Sequence, residues 1–365
     1  MRTAIWAVVA AIGLAVQPAH AQGDAPAPFW KSVQAACDAT AAKPAAALGQ
    51  RIAQTAIDEF TSFGGHRIDS NGRIFRFGLT EAEHDEDDGG TAETSLGQLG
   101  WWHVMKYWRA LFDNEPADKL EVRGYRDAST VTDGTRSADV LRTSAADLLK
   151  LAEQVSDPEE REILREAAFR AAIVDTSWSA AFISYVVRQA GVGADAFHFS
   201  NAHRTYIYDA FATSAGEVAG EPGERIYRAC PLTTRPRVGD MICAQREPAL
   251  ADMSDEAVRE RIRAELVGSP DARTVRRTHC EVIAYVDRGA RKIYSIGGNV
   301  NQAVTTRKLN LRRDGKFSAA QKSSCGGAAH WALPQPLAQA AGGGHSPSEK
   351  CSLNDKKWFV LLQLR

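Results

Sequence analysis

The chain has 365 residues, 44% of them apolar and 24% charged, with a formal net charge of −1. Such a composition describes an ordinary globular protein, long enough for one large domain or two modest ones. The balanced charge shows no basic excess to suggest nucleic acid, and none is expected as a partner.

Residues 1–21 have the layout of a secretory signal peptide. Arg2 supplies the charge, Ala4 to Val16 the apolar run, and Ala19-His20-Ala21 a small-x-small cleavage site. The run is too short to span a bilayer, so no membrane span is expected after cleavage. A periplasmic or secreted location follows. Six cysteines remain downstream, at 37, 230, 243, 280, 325 and 351. In an exported protein these are disulfide candidates, and no pair stands at the C-x-x-C spacing of a zinc site. Two pairings are expected: Cys325 with Cys351 across a Gly-rich loop, and Cys243 with Cys280 on adjacent strands.

Residues 22–28 read as a loose start, and 22–170 as a helical N-terminal lobe. Within it, Ile52, Ala56, Ile57 and Phe60 recur at helical spacing until Gly64-Gly65. Trp101, Met105, Trp108 and Phe112 form an aromatic stripe of the kind that packs one helix on another. Residues 138–155 and 159–173 give two further helices. Between the first pair lies an acidic run, residues 81–88, read as a solvated loop because it lacks the spaced ligands of a calcium loop. No metal site and no cofactor are expected.

From residue 171 the period changes. Residues 179–190 read as a buried helix stopped by Gly191, a left-handed cap. Strands are expected at 241–245, 280–287, 292–297, 303–311 and 357–364, with a charged surface helix at 255–266 and a long Gly/Ser/Pro-rich loop at 314–350. The fold class is α+β, with residues 171–365 as a central helix packed on an antiparallel sheet.

Three residues form a candidate catalytic set in this frame. Ser179 opens the buried helix, where unpaired backbone N–H groups and the dipole favour developing negative charge. An alcohol is not ionised by a dipole of that size, so a base must take its proton. His279, opening a strand, is the candidate base, and Asn299, ending the next, the candidate to fix its tautomer. The backbone N–H of Ser179 is placed to help form an oxyanion hole. Trp178 is a candidate to contact a ligand, and His203 a candidate to contact a ligand or Ser179. Alternation puts Cys280, Val282, Ala284 and Val286 on one strand face and His279, Glu281, Ile283 and Tyr285 on the other. The helix is expected on the His279 side.

The order of these elements resembles NlpC-type cell-wall peptidases and CHAP amidases, which share a papain-like core. In those families a Cys-initiated helix precedes a Gly-Asp strand, a His-led strand and a polar third residue. The matching elements here are Ser179 to Gly191, Gly239-Asp240, His279 to Val286, and Asn299, with serine where those families have cysteine. More closely, the chain resembles the bacterial domain-of-unknown-function family 2272. The resemblance rests on the Trp-Ser-Ala-Ala-Phe helix start, the Ala202-His203-x-x-Tyr206 segment, the His-Cys strand and the Gly-Gly-Asn-Val turn at 297–300. It implies a papain-like cleft with a Ser-His-Asn site for amide or ester hydrolysis of peptidoglycan-type or acyl substrates. The alternative is an inactive papain-like module that binds a cell-envelope ligand or a protein partner.

Overall fold

A computed structural model describes residues 26–82, 97, 99–112, 116–126, 139–221, 223–318, 321 and 352–365. Residues 1–21, read from the sequence as a signal peptide, and both Cys325 and Cys351 lie outside the described residues. Eight α-helices and ten strands are found among those described: α1 (Pro26–Ala41), α2 (Ala47–Ser62), β1 (His66–Ile68), β2 (Ile74–Arg76), α3 (Gly100–Leu111), β3 (Glu121–Tyr125), β4 (Val140–Ser144), α4 (Ala145–Ala152), α5 (Pro158–Asp175), α6 (Ser179–Gln189), α7 (His203–Ala219), β5 (Tyr227–Cys230), β6 (Met241–Gln245), α8 (Asp255–Ala264), β7 (Thr278–Asp287), β8 (Lys292–Val300), β9 (Ala303–Asn310) and β10 (Lys357–Leu364). The protein is α+β.

Eight strands form one sheet in the order β2-β1-β9-β8-β7-β6-β10-β5. All its pairings are antiparallel except β1 with β9. The five strands expected from the sequence are present and adjacent. The sheet nevertheless crosses the expected lobe boundary, because β1 and β2 come from the N-terminal stretch read as helical. Residues 140–144 are likewise a strand rather than the start of a helix. Their partner is β3, from Glu121↔Ser144 to Tyr125↔Val140, and helix begins only after Ser144, whose hydroxyl caps Asp147 N–H.

Helix α6 is buried on nearly every side. Ala180 to Ile183, Val186 and Val187 join a core with Cys243, Cys280, Val282 and Ile296 of the sheet and with Val104, Tyr107 and Trp108 of α3. A second core behind the sheet collects Ile242, Ile283, Ile293 and Leu309 against Val33 and Cys37 of α1. Gly191, at φ +89°, ends the α6 segment as expected.

The Gly239-Asp240 pair is a structural splint. A Cβ on Gly239 would lie 2.3 Å from Gly49 Cα, so both glycines are needed where α2 crosses the start of β6. Buried Asp240 accepts N–H bonds from Arg237 (2.8 Å) and Leu364 (2.9 Å), tying β6 to the end of β10. Burial pushes its carboxyl up to about 7.

Two disulfides stand among the described residues. Cys243–Cys280 joins directly opposed residues of β6 and β7, as expected. Cys37–Cys230 ties α1 to β5 across 193 residues of chain. Replacing both Cys37 and Cys230 by Ala removes the larger of these two loop constraints. In the chain-entropy model that costs about 5 kcal/mol. Denaturant melts of oxidised parent and double variant measure it; equal midpoints would show that the bridge contributes nothing.

Candidate active site

Ser179 is the first residue of α6 and is half-buried, following Trp178 in the cap position. Its hydroxyl lies 2.7 Å from Nε2 of His203, not of His279. His203 opens α7 and is buried. Its Nδ1 meets the hydroxyl of Tyr206, one helical turn on. Serine, imidazole and phenol thus form a continuous hydrogen-bonded line. With Nε2 accepting a hydrogen bond from the Ser179 hydroxyl, the single N–H of a neutral imidazole sits on Nδ1 and donates to Tyr206 Oη.

The expected direct pairing of Ser179 with His279 is absent for a geometric reason. Helix α6 shares its core with Cys280, Val282 and Ala284, so it packs on the Cys280 side of β7, not on the His279 side. His203 fills the interval: its ring meets His279 edge-on, with centroids 5.1 Å apart.

Behind His279 lies a charged cluster. Its Nε2 is 3.3 Å from Glu281 Oε1, close enough for an ion pair on protonation but not aligned as a hydrogen bond. Glu281 is fully buried and accepts from Arg307 Nε (2.6 Å) and Ser295 Oγ (2.6 Å). Burial alone would raise its carboxyl, but Arg307, His279 and Ser295 overcome that and hold it down at about 2. Glu281, rather than Asn299, is therefore the group beside His279. It shares the strand face of His279 two residues on, a spacing that is visible in the sequence.

Asn299 is half-buried and adopts φ +52°, the left-handed region that asparagine tolerates better than most residues. It makes no side-chain hydrogen bond among the described residues. Its type is accounted for by backbone conformation, in a segment where Asn301 and Gln302 also have positive φ and turn β8 into β9. The two preceding glycines make room on opposite sides. A Cβ on Gly297 would lie 2.7 Å from Glu281 Cγ and 3.1 Å from His279 Nε2, and one on Gly298 only 2.5 Å from Phe182 Cβ of α6. The Gly-Gly-Asn-Val turn thus admits both the His–Glu pair and the helix.

Trp178, expected to contact ligand, is instead a fully buried core residue, stacked on Phe63 and tilted against Tyr107. Its indole N–H donates to Glu81, whose carboxyl is raised by burial to about 7. Glu81 also departs from the solvated reading of the acidic run, and residues 83–88 lie outside the described residues.

Both imidazoles are held neutral. Burial lowers His203 well below the usual histidine value, and neighbouring His279 adds to it. Burial lowers His279 to about 4, with Glu281 opposing. Since the folded value is depressed, the unfolded chain takes up the proton first as pH falls. The stability tied to His279 is whole above about pH 6.5 and is lost as pH drops towards 4. That amounts to about 3 kcal/mol for a shift of this size. His279→Gln should flatten the stability profile between those limits relative to the parent; an unchanged acid slope would contradict the neutral assignment.

The sequence profile of a family described as an uncharacterized protein conserved in bacteria (DUF2272) matches residues 97–364. The chain belongs to this family. The matched span holds every member of the serine–histidine–tyrosine line and the His279–Glu281 pair, whereas α1, α2 and β1 to β2 precede it. No curated protein and no solved structure matches the chain.

Proposed function

We propose that this family member is an exported hydrolase with a serine nucleophile, acting on amide or ester bonds of cell-envelope material such as peptidoglycan peptide or acyl conjugates; its base comes from helix α7 rather than from the His-led strand that the papain-like resemblance implies. One observation carries the reading: Ser179 Oγ at 2.7 Å from an imidazole nitrogen whose opposite nitrogen is held by Tyr206. That arrangement supplies a nucleophile, a base and an orienting group. His203 takes the Ser179 proton as Oγ attacks the carbonyl carbon, and later returns it to the leaving amine or alkoxide. Water then attacks the acyl-enzyme with the same base. The first-turn N–H groups of α6, which have no intrahelical acceptor, are the donors that would hold the developing oxyanion. His279, neutral at pH 7, adds no positive charge against the His203 imidazolium. Two disulfides fit an oxidising compartment. Among the described residues no helix is long and apolar enough to cross a membrane.

The test is turnover of soluble peptidoglycan fragments and of aryl esters by the unmodified protein, with Ser179→Ala beside it. The proposal expects turnover by the parent and none by the variant. Turnover that survives Ser179→Ala would move the chemistry elsewhere. A second reading, an inactive binding module, is favoured by one fact: a cavity of about 520 Å³ is lined by none of Ser179, His203 or His279. No turnover of any fragment, together with saturable fragment binding, would select it.

A further inference from the structure

That cavity lies where the β1–β2 hairpin and α2 close over β7, β8 and β9. Its volume, about 520 Å³, is within the range of small-ligand pockets. Ile57 and Phe60 of α2 form one wall, Ile68 and Phe75 another, and Ala284 and Ile296 the floor. Irregularities in the strand register mark both sides of it, between Arg67 and Ile68 and between Ile283 and Tyr285. Such irregularities re-aim side chains, and Phe75 and Tyr285 stand 61% and 57% exposed at the mouth. Large aromatics left in water around an apolar hollow mark a binding surface more often than a bare one.

The rim carries Arg67 and Lys308. Neither makes an ion pair among the described residues; Lys308 Nζ lies over the Tyr294 ring, 5.5 Å from its centre. The one rim carboxylate among the described residues, Asp69, spends Oδ1 on the N–H groups of Asn71 (2.8 Å) and Arg73 (2.9 Å) within its own turn. An apolar hollow whose rim carries two cations against one carboxylate, itself turned to backbone N–H groups, is complementary to an amphiphile with an anionic head. We infer that this pocket binds a single-chain amphiphilic anion of the fatty-carboxylate class, with the alkyl chain between α2 and the hairpin and the carboxylate on Lys308 and Arg67. The assignment is independent of whether Ser179 turns over substrate.

Calorimetric titration of the full mature chain with octanoate, decanoate and dodecanoate, each kept below its micelle concentration, tests it. Affinity should rise about fourfold for each methylene buried. Lys308→Glu should weaken decanoate about tenfold, by loss of a charge-assisted contact and gain of a like charge, while decanol binding stays level. Phe75→Asp, at a largely exposed position, should weaken all the chains. Absence of saturable binding, a series flat in chain length, or decanoate binding untouched by both substitutions would overturn the assignment. Tighter binding of decyltrimethylammonium than of decanoate would overturn it too, by assigning the aromatics to a cation cage.

Discussion

Ser179→Cys is expected to produce a thiol that alkylates rapidly at neutral pH, with a pKa well below the unperturbed value of about 8.5. The cause is its place: the first residue of α6, where N–H groups are unpaired, at hydrogen-bond distance from His203. Burial of His203 opposes the shift, because it disfavours the imidazolium partner of a thiolate. The helix terminus and the direct contact are expected to outweigh it. Iodoacetamide rates between pH values of about 5 and 9 bracket the unperturbed thiol and read the value directly. The double variant Ser179→Cys, His203→Gln should return it to about 8.5 or above, whereas Ser179→Cys, His279→Gln should leave it low. A sluggish thiol in the single variant would mean that helix and imidazole are not an activating pair.

His203→Gln is expected to have the largest effect on turnover. A positioned general base contributes about a hundredfold to ten-thousandfold, and a carboxamide of similar size keeps the buried space filled. The loss should fall on kcat, with KM near the parent value, because the substituted carboxamide can still hold the hydroxyl but cannot take its proton. His279→Gln should cost much less, since His279 touches the His203 ring and not the serine. Equal losses for the two histidine variants, measured on the same ester, would contradict the assignment of the base to His203.

Much of the fold is legible in the sequence. The strands at 241–245 and 357–364 match residue for residue, because each is a short apolar run between turn signals. The buried helix from Ser179 is legible because a left-handed glycine ends its segment. Helix α7 is hidden for a physical reason. Tyr206, Ile207, Tyr208, Ala210 and Phe211 are all buried, so no single apolar stripe marks the period. Strands β1 and β2 have three residues each, below the length at which alternation can be seen. Cys243–Cys280 follows from adjacent strands, whereas Cys37–Cys230 depends on α1 reaching the far edge of the sheet, which local pattern does not encode.

The site is half legible. Ser179, His203 and His279 each stand out in the sequence, and a contact of His203 with Ser179 is among the readings, but that His203 rather than His279 is the bonded imidazole is not legible. Strand alternation fixes which residues share a face and leaves open which face a helix covers. Once α6 lies on the Cys280 side, the serine needs a base from another element, and the start of α7 supplies it. Tyr206 carries a signal in its spacing from His203, and Glu281 in its spacing from His279. Trp178 resembles a ligand contact because of its neighbour, yet its indole is used to hold Glu81 inside the core.

The most direct measurement is covalent labelling of the unmodified protein with an alkyl fluorophosphonate, mapped by peptide mass spectrometry. The reagent reacts far faster with a serine whose proton an adjacent base removes than with an unactivated one, so it needs no knowledge of the natural substrate. One modified residue is expected, Ser179, with labelling lost in His203→Gln and retained in His279→Gln. An unlabelled Ser179 in folded protein, or labelling that survives His203→Gln, would contradict the pairing of Ser179 with His203.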